Sequence, residues 1–186
     1  MLKLIVARCK NKGIGKNNIM PWYLKADLKR FQALTVGNKN NSIIMGKNTW
    51  KSLNKTPLPH RKNIVVSTTM KDINEKCIIK SSLDKAVTFS TKNKFDETWI
   101  IGGEKLYTAT INTYDLNKIY VTEILEDFDC DTFFPAIPDN YYIYECSSWN
   151  IENDITYRYV CYKNKVKPGD FMYNILPYNA KYALWK

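Results

Sequence analysis

The 186-residue sequence lacks several features that would assign it to a special class of protein. The apolar run near its start, Leu4 to Ala7, has charges on both sides and is far too short for a signal peptide or a membrane span. The five cysteines are odd in number, widely spaced and without a CxxC pair, so neither a disulfide framework nor a zinc site is expected. The sequence therefore predicts a cytoplasmic protein with reduced thiols, no metal centre and no membrane partner.

Glycine and proline are also sparse, with seven residues of each, and we find no low-complexity segment. With 45% hydrophobic and 25% charged residues, the composition is that of an ordinary globular domain. A chain of this length buries roughly 70% of the surface that its unfolded form exposes, which is enough for one core. Disorder, a collagen-like fibre and a second full domain are excluded.

Acidic residues are almost missing from the first part of the chain. Residues 1–71 contain 15 lysine or arginine residues and one acid, Asp27, whereas the rest of the chain carries a net charge of −4. A positive field over half of a domain attracts polyanions, either a nucleic acid strand or a small ligand with phosphates and carboxylates. Because 24 of the 28 basic residues are lysine, compositional drift is a third explanation.

Short β-branched runs alternate with helix-like stretches along most of the chain. Strands are predicted at 2–7, 41–45, 62–67, 77–80, 98–101 and 117–124, and helices at 24–35, 47–53, 82–92 and 104–112. This alternation predicts a single α/β domain with a mostly parallel central sheet and helices on both faces. Two further runs, 141–149 and 155–163, predict a C-terminal antiparallel hairpin joined by residues 150–154.

Pro168 and Gly169 interrupt this pattern, so we divide the chain into a domain at 1–163 and an extension at 164–186. The extension has few charges and several aromatic residues. Because solvated disordered tails are poor in aromatic residues, this composition indicates an ordered segment. We therefore expect it to pack against its own domain, or alternatively against a second copy of the chain or a fusion partner. A monomer is the expected state, with a dimer formed through the tail as the alternative.

The helix predicted at 24–35 places the acid of the basic region on an apolar face. One side carries Leu24, Asp27, Leu28, Phe31 and Leu34, and the other carries Lys25, Lys29, Arg30 and Gln32. A first-turn acid favoured by the helix dipole is the simple explanation for Asp27. However, a carboxylate that faces a core needs a partner, because an unpaired buried charge is costly. A ligand is the second explanation.

Two strand-to-helix turns have features of phosphate sites. TWIIGGEKLY (98–107) aims free N–H groups and a helix dipole at the space above a Gly-Gly turn, which suits a pyrophosphate, but it lacks the GxGxxG spacing. IIMGKNTW (43–50) offers Gly46, Lys47 and Thr49 at a helix start. Because Asn41 stands where a P-loop needs glycine, an NTPase is excluded and a different phosphate ligand stays open.

Taken together, six blocks of the sequence resemble the dihydrofolate reductase family in order and spacing. They are IGKNNIMPWYLKADLKRF (14–31), IIMGKNTWKSL (43–53), PLPHRKNIVVS (57–67), IIGGEKLY (100–107), YVTEI (120–124) and DCDTFFP (129–135). The resemblance covers about residues 1–163. It implies a reaction in which NADPH gives a hydride to C6 of dihydrofolate while N5 takes a proton, giving tetrahydrofolate for one-carbon metabolism and thymidylate synthesis.

The resemblance implies a substrate site around Asp27. Its carboxylate would accept hydrogen bonds from the pterin N3 and 2-amino group, with Thr122 bracing it, and the proton for N5 would arrive through water. Arg61 would pair with the α-carboxylate of the glutamate tail. Apolar walls are implied at Ile5, Trp22, Phe31, Leu53, Leu58 and Ile101. The positions implied in catalysis are Asp27, Trp22, Tyr107 and Thr122.

The resemblance also implies that NADPH binds along the two turns and under a mobile loop. Gly102 and Gly103, joined by a cis peptide in the family, would lie with Tyr107 near the nicotinamide. The loop from Ile14 to Trp22 would close over the ring, held by Asp131, and exclude water. The implied cofactor positions are Ala7, Ile14, Gly15, Met20, Gly46, Lys47, Asn48, Thr49, Ser67, Thr68, Gly102, Gly103, Glu104, Lys105 and Leu106.

Within this set, Lys47 and Thr49 match the family positions that receive the phosphates of the cofactor, together with Ser67 and Thr68. The cation of Lys47 would contact the adenosine 2′-phosphate. NADPH carries this phosphate, whereas NADH does not. The resemblance therefore implies a preference for NADPH.

Two other functions fit part of the sequence. A pyrimidinone reductase of riboflavin synthesis shares the fold and NADPH, but the MPW loop and the Asp27 helix argue against it. A basic nucleic-acid-binding module would interleave exposed aromatics with lysines, whereas the aromatics here lie at family positions. We therefore expect dihydrofolate as the substrate and no nucleic acid partner.

Overall fold

Strands and helices alternate along the chain at the positions that the sequence predicts. The computed structural model describes residues 1–71, 76–113 and 116–165. The helices in this part of the chain are α1 (Lys25–Val36), α2 (Lys47–Ser52), α3 (Leu83–Lys92) and α4 (Glu104–Thr113). The strands are β1 (Leu2–Arg8), β2 (Gly13–Gly15), β3 (Asn41–Gly46), β4 (Arg61–Val66), β5 (Ile78–Lys80), β6 (Thr98–Ile100), β7 (Lys118–Ile124), β8 (Thr132–Phe133), β9 (Tyr141–Cys146), β10 (Asn150–Glu152) and β11 (Ile155–Asn164).

Within the described residues, nine strands form the central sheet, in the order β10–β11–β7–β1–β6–β3–β4–β5, with β9 also paired to β11. The inner pairs, from β7 through β1, β6, β3 and β4 to β5, are all parallel, and β11 is antiparallel to β7. The predicted α/β class is confirmed. Because the carboxyl ends of the parallel strands meet at one edge of the sheet, a ligand cleft is expected there.

The central strands are buried on both faces, as their continuous β-branched runs indicate. Alternate residues of β3 enter different cores: Ile44 packs with Leu4, Val6 and Ile100, whereas Ile43 packs on the opposite face with Ile5 and Trp99. Both isoleucines of β3 are fully inaccessible to solvent. The sheet is therefore a rigid frame for the loops that leave its carboxyl edge.

The C-terminal hairpin is present, but its connection differs from the predicted one. Residues 150–152 form β10 instead of a loop, and the turn consists of Asn153 and Asp154 alone, with φ angles of 52° and 59°. Two residues with positive φ make the tight turn that matches the twist of antiparallel strands. The small sheet of β2 and β8 was not predicted, because strands of two or three residues have no periodic pattern.

The predicted faces of α1 were wrong at two positions. Arg30 is half-buried, with its guanidinium 4.2 Å from the ring centre of Tyr159 and 5.7 Å from that of Tyr120. Leu28 is 41% exposed. The physical reason is that β7 and β11 present tyrosine rings to α1, and these rings accept the long stem and the cation of arginine.

Two further predictions concern the thiols and the extension. The five cysteines are free, and Cys9, Cys77 and Cys161 are buried, but Cys146 is exposed on β9. No helix in the described ranges is long and apolar enough to span a bilayer. Residues 166–186 lie outside the described residues, so the packing of the extension and its boundary stay predictions.

Candidate active site

The carboxylate of Asp27 lies in the first turn of α1 and faces β7. Thr122 Oγ1 donates a hydrogen bond to Asp27 Oδ1 over 2.5 Å, from a side chain that is itself 1% exposed. Burial raises the pKa of Asp27 above its usual value; the Thr122 hydrogen bond and the Arg30 charge oppose this rise, and the Glu152 charge adds to it. Asp27 is therefore a carboxylate whose ionised form lacks full solvation and favours a further hydrogen-bond donor.

A cavity with apolar walls opens beside this carboxylate. It is lined by Met20, Trp22, Tyr23, Leu24, Asp27 and Leu28. Met20 and Leu28 are 49% and 41% exposed, although both are large and apolar. The cavity itself measures about 20 Å³, room for one water-sized group, so a flat heterocycle with neighbouring N–H donors would lie over the exposed apolar side chains that line it. Leu28 was missing from the predicted site because its spacing assigned it to the core.

The predicted apolar walls divide into two groups. Phe31, Leu53 and Leu58 are half-buried and pack against the core that contains Ile5 and Ile101. Trp22 belongs to a separate cluster with Ala7, and its ring lies 5.3 Å from that of Phe128 in an edge contact. The structure thus brings the first group together along α1 and β4, while Trp22 closes the end of the cleft near Asp27.

Arg61, the first residue of β4, is fixed against the opposite end of α1. Its Nη1 donates to Thr35 Oγ1 over 2.7 Å, its Nε donates to the Pro59 carbonyl over 3.0 Å, and its guanidinium lies 5.6 Å from the Phe31 ring centre. Burial lowers the pKa of Arg61, yet arginine keeps its charge in proteins. An oriented guanidinium is suited to bind a carboxylate. Thr35 was not predicted, since nothing in its local pattern marks it.

The two glycine turns lie side by side, because β3 and β6 are neighbours in the sheet. Gly46 N donates to the Gly102 carbonyl over 2.7 Å, and the Gly102–Gly103 peptide is cis. Gly102 has φ +115°, and a Cβ there would lie 3.0 Å from the Tyr107 hydroxyl oxygen. A Cβ on Gly103 would lie 3.3 Å from Thr49 Oγ1. Only glycine therefore fits at position 102. The contact between the two turns also places the starts of α2 and α4 next to each other.

Tyr107 is held inside the protein. It is 5% exposed, and its hydroxyl donates to the Ile5 carbonyl over 2.9 Å. Burial raises the pKa of Tyr107, so the phenol stays protonated. The residue therefore joins α4 to β1 directly beneath the glycine pair.

The other residues predicted on α4 and α2 have different exposures. Leu106 is 9% exposed and packs in the core, while Glu104 is half-buried and Lys105 is exposed at the start of α4. On α2, Asn48 is exposed and Thr49 is half-buried. Leu106 thus stabilises the turn from beneath.

Lys47 and the turn after β4 form a polar cluster at the carboxyl edge of the sheet. Lys47 Nζ donates to Thr69 Oγ1 over 2.8 Å. Ser67 Oγ accepts hydrogen bonds from Thr69 N at 3.2 Å and from Met70 N at 3.0 Å, and Thr68 is exposed. The structure therefore links Lys47 to Ser67 through Thr69, the residue that follows Thr68. Thr69 was missed, although it continues the hydroxyl run STT.

The loop from Ile14 to Trp22 is attached at its start and exposed at its tip. Asn17 N donates to Asp131 Oδ2 over 2.8 Å, and Asp131 N donates to the Gly15 carbonyl over 3.0 Å. Ile14 packs against the main core, whereas Met20 is half exposed. Asp131 thus contacts the loop as the resemblance implies, and the tip borders the cavity beside Asp27.

The sequence also matches known proteins over the residues that build this cleft. A family model described as dihydrofolate reductase matches residues 1–164. The dihydrofolate reductase of Drosophila melanogaster is 38% identical over 147 residues, covering 74% of this chain and 81% of the relative. That of Gallus gallus is 40% identical over 148 residues, covering 73% and 78%. That of Buchnera aphidicola is 38% identical over 176 residues, covering 94% and 98%.

Proposed function

The chain belongs to the dihydrofolate reductase family, and from this premise we propose that Asp27 binds the pterin ring of the substrate. The protein is an NADPH-dependent oxidoreductase that reduces dihydrofolate to tetrahydrofolate, a reaction of one-carbon metabolism. The observation that carries the assignment is the carboxylate of Asp27, hydrogen-bonded to Thr122 and bordered by an apolar cavity.

Asp27 acts on the substrate through charge and orientation. Its Oδ1 accepts from Thr122, so its remaining acceptor positions receive the pterin N3–H and 2-amino group. A buried anion that lacks donors is costly, and the substrate supplies them. Because burial raises the pKa of Asp27, its carboxylate is a stronger base than an exposed one and favours the protonated pterin. Water carries the proton to N5.

Arg61 holds the other end of the substrate. Its guanidinium is oriented by Thr35 and Pro59 at the far end of α1, and it pairs with the α-carboxylate of the glutamate tail. Phe31, Leu53 and Leu58 cover the ring system between the two charged ends. The cleft therefore recognises a molecule with a polar ring at one end and a carboxylate at the other.

The glycine turns fit a nicotinamide dinucleotide, because they lie side by side at the start of α4, whose free backbone N–H groups suit a pyrophosphate. The residues that would hold it are Ala7, Ile14, Gly15, Met20, Gly46, Lys47, Asn48, Thr49, Ser67, Thr68, Gly102, Gly103, Glu104, Lys105 and Leu106. A bound NADPH supplies the hydride. Lys47, with Ser67 and Thr68, meets the 2′-phosphate, and the loop from Ile14 to Trp22 excludes water.

The state of assembly and the compartment are also part of the proposal. We propose that the protein is a monomer. The free cysteines support a reducing, cytoplasmic compartment.

The test removes the charge of Asp27 and keeps its shape. Asp27→Asn is expected to lower the rate of NADPH consumption with dihydrofolate at pH 7 by about 10²- to 10⁴-fold. Asp127→Asn is the matched control, because it makes the same change at an exposed position of the loop before β8. A folded Asp27→Asn protein with the wild-type rate would show that a different group binds the pterin.

A further inference from the structure

The helix that carries Asp27 has no cap of its own. Its N-cap residue is Leu24, whose side chain cannot accept the free N–H groups of the first turn. Glu152, on β10, accepts them instead: Oε1 from Lys25 N over 2.7 Å and Oε2 from Ala26 N over 3.0 Å. A carboxylate distant in sequence thus holds the start of α1 with both of its oxygens.

Glu152 is itself held firmly. It pairs with Ile155 across the two-residue turn between β10 and β11. The next residue, Asn153, donates from Nδ2 to the Tyr23 carbonyl over 3.1 Å. The hairpin therefore contacts the chain on both sides of Leu24 and fixes where α1 begins.

Asp27 is the third residue of α1, close to the free N–H groups of the first turn, which attract an acidic side chain. Here Glu152 occupies the N–H groups of Lys25 and Ala26, and Asp27 bonds Thr122 instead. We propose that Glu152 is a positioning residue for the reaction, which caps α1 from β10 and so leaves the Asp27 carboxylate free for the pterin. This inference rests on the proposed role of Asp27.

The charges around Asp27 give this arrangement a measurable consequence. Among the described residues, the electrostatic partners of Asp27 are Arg30 on the same helix, Tyr159 on β11 and Glu152 on β10. Burial is the first cause of the raised pKa of Asp27, and the negative charge of Glu152 adds to it. Glu152 also offsets the positive end of the helix dipole. Loss of its charge therefore lowers the pKa of Asp27 and weakens it as a partner for the protonated pterin.

Three variants separate the effect of the Glu152 charge from the effect of its side-chain length. Glu152→Gln keeps the reach and removes the charge, Glu152→Asp keeps the charge and shortens the reach, and Asp154→Asn removes a carboxylate from the adjacent turn position. The readout is the rate of hydride transfer in a single turnover, measured across pH, with melting temperature and the KM for NADPH recorded for each protein.

As the pH is raised, we expect the rate of Glu152→Gln to begin falling at a lower pH than that of wild type. At pH 8 its rate should be about two- to threefold below wild type. Its KM for NADPH should not change. Glu152→Asp is expected to restore part of the wild-type profile, and Asp154→Asn all of it. A wild-type profile in Glu152→Gln, even with a lower melting temperature, would show that the cap is only structural. An equal shift in Asp154→Asn would also overturn the proposal.

The double variant Asp27→Asn with Glu152→Gln shows whether Glu152 acts through Asp27. We expect Glu152→Gln to leave the pH profile of Asp27→Asn unchanged. If Asp27→Asn is impaired but Glu152→Gln shifts the profile in that background too, the inference about Glu152 fails and the role of Asp27 stands. If Asp27→Asn alone is fully active, the proposed role of Asp27 in binding the pterin fails.

Discussion

The proposed substrate side of the cleft joins single side chains from distant parts of the sequence, whereas the proposed cofactor side consists mainly of turns, each of which is continuous in the chain. Asp27 meets Thr122 and Glu152 acts on α1 from β10, across 95 and about 127 residues. The cofactor side is formed by Gly46 and Gly102 at the ends of adjacent strands. We therefore expect recognition of the pterin to depend on contacts between distant residues, and recognition of the phosphates to depend mainly on the two turns.

The free-energy cost of forming the site also differs between the two sides of the cleft. On the substrate side the cost is desolvation, which raises the pKa of Asp27 and lowers that of Arg61. On the cofactor side the cost is conformational, because Gly102 has φ +115° and no room for a side chain. Variants on one side should therefore leave the other ligand largely unaffected.

The largest expected effect on affinity is on the substrate side. Arg61→Leu is expected to weaken dihydrofolate binding by about 2 to 5 kcal/mol, because a desolvated charged pair is lost. Tryptophan fluorescence titrations with dihydrofolate and with NADPH measure both affinities. Lys62→Leu, which removes an exposed charge from the next position of β4, is the control. Equal losses for the two ligands in Arg61→Leu would indicate a damaged fold.

The corresponding change on the cofactor side is Lys47→Ala. We expect it to cost about 1.5 to 3 kcal/mol of NADPH affinity, with little change for NADH and a larger effect at low salt. Lys51→Ala, in the last turn of α2, controls for the loss of a nearby charge. If the preference between the cofactors does not change, the 2′-phosphate lies elsewhere, and the turn after Ser67 is the next position to test.

A smaller effect should appear in the stability of the free protein. Because the pKa of Asp27 is raised by folding, its ionised form destabilises the folded state at pH 7, and this penalty disappears as pH falls below the unfolded pKa of about 3.9. Asp27→Asn should therefore melt above wild type at pH 7, with the difference vanishing near pH 4. A melting temperature below wild type at pH 7 would contradict the desolvation argument.

The smallest effect on chemistry is expected from the aromatic extension. The cut belongs after Lys165 instead of Lys163, because Asn164 pairs with Tyr141 and Lys165 N donates to the Asn140 carbonyl over 2.8 Å. We expect the shortened protein to melt lower or elute differently in gel filtration, with unchanged turnover. Identical melting, elution and turnover would show that residues 166–186 have no packing or assembly role.

The same contrast explains what the sequence could predict. Strand periodicity located the sheet, and the turn containing Gly102 and Gly103 marked one end of a cleft, since both signals are local. Glu152 and Thr35 were missed because their partners are far away in the chain. The predicted burial was wrong for Arg30 and Leu28, because the spacing of residues in a helix gives no information about the tyrosine rings on the facing strands.

The central claim, that the charge of Asp27 favours the protonated pterin, is tested most directly by the ratio of hydride-transfer rates in wild type and Asp27→Asn across pH 5 to 8. The ratio should be largest at high pH and shrink as pH falls, because bulk acid then protonates the substrate before it binds. A ratio that stays constant over this range would contradict the account, because the charge of Asp27 would then have no effect on protonation of the pterin.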